Sequence, residues 1–167
     1  MISKREVEHN LLYDELDNII QRSSALIKEF QKLSLRIDSS LYLLLNFFRN
    51  KNKKSNYYIL KSLTEKLKQV SFLFHNFCNV NISKFPDKTK NYLETYGEYL
   101  DSILEAIELR TDFEKRYREL SINKSTIRDL QYIEMLIKEI SFALNKCKEN
   151  SILVNKVVKE MQNESQS

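Results

Sequence analysis

His75 and Cys78 stand three residues apart, a spacing that puts both side chains on one face of a helix. Imidazole and thiolate are both metal ligands. A closed site, however, needs about four donors and an open one about three, and no second pair with metal-like spacing accompanies these two. Phe72, Phe74 and Phe77 fill the same window, so the pair reads as structural. His9 is isolated. Glu94 and Glu98 form an i,i+4 carboxylate pair of the kind that usually lies on a solvated helix face. A single glycine, Gly97, rules out a glycine-rich phosphate loop. The expectation is a chain without catalysis, metal or cofactor.

Basic side chains carry the stronger signal. The net charge is only +4. Between Ser39 and Lys90, however, ten Lys and Arg face two acids, Glu65 and Asp87. Within that stretch Arg49, Lys51, Lys53, Lys54 and Lys61 have no acid between Asp38 and Glu65 to neutralise them. A second cluster comprises Arg110, Lys115, Arg116, Arg118, Lys124 and Arg128. Asp112–Arg116, Glu114–Arg118 and Lys115–Glu119 are i,i+4 pairs that partly cancel, which leaves Arg110, Lys124 and Arg128 as the freer cations. Such asymmetry points to an anionic partner, with a solvated basic face as the plain alternative.

The elements that position these groups follow from composition. One Gly and one Pro in 167 residues leave few turns, so the elements must be long. Hydrophobic residues at 42% and charged residues at 30% suit helices with one buried stripe. Helix one is expected from about residue 5 to 48. Its three–four seam runs through Leu16, Ile20, Ser23, Ile27, Phe30, Ser34, Ile37, Leu41, Leu44 and Phe48. The apolar-free run RNKNKKSN at 49–56 ends it, with Ser55 or Asn56 as the next N-cap. Residues 57–120 read as one helix bent near Pro86, with two separate helices as the fallback; Gly97 marks a second bend or a close helix crossing. Helix three, about 126–161, has the seam Leu130, Ile133, Ile137, Ile140, Leu144, Cys147, Ser151, Val154, Val158 and Met161. At about 1.5 Å per residue the outer helices approach ~60 Å and the middle one ~95 Å. A helix that long outruns its neighbours, so a second chain is expected to cover the remaining apolar surface.

The pattern of three long helices, the stretch YLETYGEYLDSILEAIELRTDFEKRYREL at 92–120, and the ending VNKVVKEM resemble the BAR domain of PX-BAR sorting nexins of the fungal endosomal and autophagy-related type. The resemblance covers nearly the whole chain in architecture, though no PX domain is present. It implies an elongated, antiparallel three-helix coiled-coil bundle, all-α and dimeric, paired with itself or with a related BAR protein. It also implies a peripheral, curvature-sensing role on anionic endosomal membranes. The turn between helices two and three would be the tip, making Lys124 and Arg128 lipid contacts with Arg110, Arg116 and Arg118 behind them. Two cysteines and no signal peptide fit a reducing, cytoplasmic setting. No nucleic-acid module is recognised. The competing expectation is a helical tether that binds only proteins.

Overall fold

The computed structural model describes residues 4–34, 56–122 and 127–164, with side-chain surroundings for 10–33, 56–119 and 128–163. The expected helix-one positions Ile37, Leu41, Leu44 and Phe48 lie outside them. Helix α1 spans Lys4–Ser34, α2 Tyr57–Asn81, α3 Asp87–Ile122 and α4 Ile127–Glu164. The described residues are thus all-α.

The expected single bent helix over 57–120 is corrected to two helices folded back on each other. Proline has no N–H and disfavours helical geometry in the residue before it. Accordingly α2 tightens into a 3₁₀ turn at Ile82–Lys84, and Phe85 is extended, with φ −94° and ψ 152°. Pro86 then opens α3, its carbonyl accepting from the Lys90 N–H at 3.0 Å. Phe85 is buried at the reversal, with ring centroids 5.2 Å from Tyr13 and 6.1 Å from Phe77. Beyond it the two helices run antiparallel. The Phe74 and Tyr96 rings lie 5.4 Å apart, the Thr64 and Thr111 hydroxyls 2.9 Å apart, and the Asn56 N–H reaches Glu114. The fold-back lets each helix bury its apolar stripe on the other, which one continuous rod could not do within the chain.

The other helices follow the same up-down logic. Tyr13 lies at Phe85 and Ser23 bonds Tyr96, so α1 runs antiparallel to α2. Helix α4 runs antiparallel to α3, fixed by Cys147 Sγ donating to Ser102 O at 3.0 Å, Lys146–Glu105 at 3.0 Å and Asn150 Nδ2 donating to Glu98 O at 3.2 Å. α3 is the shared element, packed on α2 along one side and on α4 along the other. The longest helix, α4, has 38 residues and so is about 57 Å long, not ~95 Å.

Leu16, Ile27, Phe30, Ile133, Ile137 and Ile140 are buried, while Ile20, Leu144, Val154 and Val158 are half-buried. Ser23, small within its seam, is fully buried and meets the Tyr96 hydroxyl at 2.7 Å. One core lies between α1, α2 and α3 and takes in Ala143 and Cys147 of α4; Phe113, Ile133, Leu136, Ile137 and Ile140 form a second between α3 and α4. Gly97 marks a close crossing. α3 passes through it unbroken, and a Cβ there would lie 3.3 Å from Phe74 Cε1.

Candidate functional site

The hairpin brings the first turn of α2 against the last turns of α3. The contact that joins them is Arg118 on Tyr58. The guanidinium carbon sits 4.6 Å above the ring centroid, and Nη1 donates to the phenol oxygen at 2.5 Å. From residue 49 to 61 and from 110 to 128 the sequence supplies eleven cations against three acids.

Beneath this contact lies a buried ion pair. Arg110 Nη2 donates to Glu114 Oε1 at 2.7 Å, with the two side chains only 6% and 8% exposed. Glu114 Oε2 accepts the Asn56 N–H at 3.2 Å. Asn56 makes no side-chain cap and the first turn of α2 holds no acid. Glu114, reaching from α3, therefore places a carboxylate where a helix N-terminus lacks acceptors and favours negative charge. Burial lowers the Arg110 pKa and Glu114 partly offsets this, but a guanidinium stays charged. Its Nη1 is buried without a hydrogen-bond partner, and its guanidinium carbon lies 4.9 Å over Phe113. Arg110, expected as a freer cation and a lipid contact, is corrected: it is an internal brace.

Around the brace the remaining cations sort by partner. Arg116 turns from the expected Asp112 to Glu119, at 3.3 Å, and to Asp129 across the α3–α4 turn. The hydrogen bond to Glu119, above all, raises its pKa. Asp112, Lys115, Arg116, Glu119 and Tyr132 line a polar crevice of about 370 Å³. Lys61, Lys115 and Arg128 are exposed. Lys61 stands two turns before Lys68, which pairs with Glu108 of α3 at 2.5 Å, so Lys61 lies on the α3 edge of α2. Arg49, Lys51, Lys53, Lys54 and Lys124 lie outside the described residues. The run 49–54 leads into α2 through Ser55 and Asn56.

No protein family, curated protein or solved structure matches this chain.

His75 Nε2 contacts Asp101 Oδ1 at 2.8 Å, and among the described residues no group of three or more His, Cys, Asp or Glu could hold a metal ion. Burial pushes the Cys78 thiol up to about 11. No helix among the described residues is long and apolar enough to cross a membrane. Sequence reading missed the Glu114 cap and the inward face of Arg110. The signal was present, because Leu93, Tyr96, Leu100, Ile103, Ile107, Arg110 and Glu114 continue one three–four progression into the core.

Proposed function

We propose that this chain is a non-catalytic helical bundle that binds an anionic phospholipid surface peripherally, through the basic end where α2 begins and α3 finishes. The observation that carries the reading is the Arg118–Tyr58 contact, which holds the start of α2, with exposed Lys61, against the end of α3, with exposed Lys115. The BAR architecture implies a long bent middle helix, whereas residues 57–120 form a hairpin, so the proposed lipid contact involves no curved dimer.

Each Lys or Arg near an anionic surface contributes about 1 kcal/mol. Lys61, Lys115 and Arg128 together thus supply about 3 kcal/mol, a weak and reversible interaction. The four cations between 49 and 54 would about double it. A second reading, a scaffold for other proteins, is favoured by α4, whose outward side exposes Tyr132, Met135 and Phe142 among glutamates and lysines.

Co-sedimentation with phosphatidylcholine vesicles, with and without phosphatidylserine, separates the two. The expected result is binding only to the anionic vesicles. It should weaken as the Debye length falls from about 10 Å at 0.1 M salt to about 3 Å at 1 M. Lys61→Glu with Arg128→Glu should reduce it while leaving helicity unchanged. Binding that ignores both salt and lipid charge overturns the membrane reading in favour of the scaffold.

A further inference from the structure

Asp112 and Lys115 stand three residues apart on α3, and each forgoes the partner its spacing offers. The i,i+4 neighbour of Asp112 is Arg116, and that of Lys115 is Glu119. Arg116 instead bonds Glu119 at 3.3 Å and reaches Asp129 of α4. Its guanidinium is thus held between two carboxylates, with the central carbon 5.8 Å from the centre of the Tyr132 ring. Among the described residues this leaves Asp112 and Lys115 without an ion pair or hydrogen bond. Both are exposed, and both line the polar crevice of about 370 Å³ between α3 and α4.

An unspent carboxylate, an unspent ammonium and an aromatic wall at one opening are the complement of a small zwitterion. The crevice is of a size that small ligands occupy, about 300–1,000 Å³. Its groups also have an order. Arg128 stands in the first turn of α4, four residues before Tyr132 and so on the same side of the helix. It is exposed, as Lys115 is. Asp112 lies about one turn farther than Lys115 from the α3–α4 turn. A headgroup entering from the end of the bundle therefore meets two cations first and a carboxylate beyond them. Phosphatidylserine presents its groups in that order, with the phosphate beside the glycerol and the ammonium farther out.

We infer that the crevice between α3 and α4 binds the headgroup of phosphatidylserine, its phosphate on Lys115 and Arg128 and its ammonium on Asp112 against the Tyr132 ring. The inference rests on the membrane reading above and names the lipid. Charge alone does not tell phosphatidylserine from phosphatidylglycerol, since the two carry equal net charge. Only phosphatidylserine carries an amine for Asp112 to accept from.

The test is co-sedimentation of the full chain, at fixed ionic strength, with phosphatidylcholine vesicles holding equal fractions of either anionic lipid. The parent should bind the phosphatidylserine vesicles about three- to tenfold more tightly, the factor expected of one exposed ion pair with one cation–π contact. Asp112→Asn keeps the shape of the side chain and removes its charge, so it should bring the two lipids level with the helical circular-dichroism signal unchanged. A general charge effect would instead raise binding to both vesicles by one factor and leave the preference standing. Equal binding of the parent to the two lipids, or a preference that survives Asp112→Asn, overturns the crevice while leaving the membrane reading intact. A parent that binds neither vesicle at any salt concentration overturns both.

Discussion

Glu114→Ala asks whether one buried carboxylate holds the basic end together. Its removal leaves the Arg110 side chain, 6% exposed, with neither terminal nitrogen paired, since Nη1 already lacks a partner. Taking one member from a buried ion pair costs about 3–5 kcal/mol. The Asn56 N–H loses its acceptor as well, which adds about 1 kcal/mol on the scale of helix caps. The sum, about 4–6 kcal/mol, is a large part of the roughly 5–15 kcal/mol that holds a domain folded. At about 2–4 °C per kcal/mol for a chain of this size, the melting temperature should fall by about 10–20 °C. Arg110→Met with Glu114→Leu removes both charges and should recover most of that loss, because no uncompensated ion stays buried. Urea unfolding of the parent, Arg110→Met, Glu114→Leu and the double variant closes the cycle, with an expected coupling of about 2 kcal/mol or more. A cost below about 1 kcal/mol for Glu114→Ala, or strict additivity, would refute the brace.

Alkali should destabilise the fold in a defined window. Burial holds Cys78 protonated up to about 11, and burial with the neighbouring Tyr96 and Asp17 holds Tyr92 up to about 12. Because both folded values are raised, the stabilisation is complete below the unfolded values of about 8.5 and 10. It is then lost as pH rises through the folded ones, so thermal melts should fall steeply between about pH 9 and 12; a flat profile there would count against the burial of both groups. Small-angle scattering on the monomer should give a radius of gyration of about 15–20 Å, near the compact scaling for this length. A value near about 30 Å would mean that residues 57–120 run on as one rod.

The helices were legible because their signal is local. A three–four seam and the scarcity of Gly and Pro set the helical positions without reference to anything distant. The reversal at Pro86 was only half legible. Proline announces a break, but whether the chain bends or folds back depends on what each side can bury. Here the stripe of Leu67, Val70 and Phe74 finds that of Leu93, Tyr96 and Leu100, a match between segments that no local window contains. Gly97 belongs to the same problem. Its lack of a side chain has meaning only once Phe74 lies against it.

The two basic stretches show why a charge count is weaker evidence than a charge position. As sequence they were alternatives, one before α2 and one around the α3–α4 turn, and nothing local related them. The hairpin brings the start of α2 to the end of α3, and it withdraws Arg110 from solvent while Arg118 lies half-buried over Tyr58. Two arginines eight residues apart thus take opposite roles. Arg110 lies on the α3 stripe with Ile103 and Ile107, where its charge serves packing; Arg118 lies beside the start of α2, over the Tyr58 ring. Glu114 separates the roles, since it neutralises the buried cation and caps the helix that presents the exposed ones.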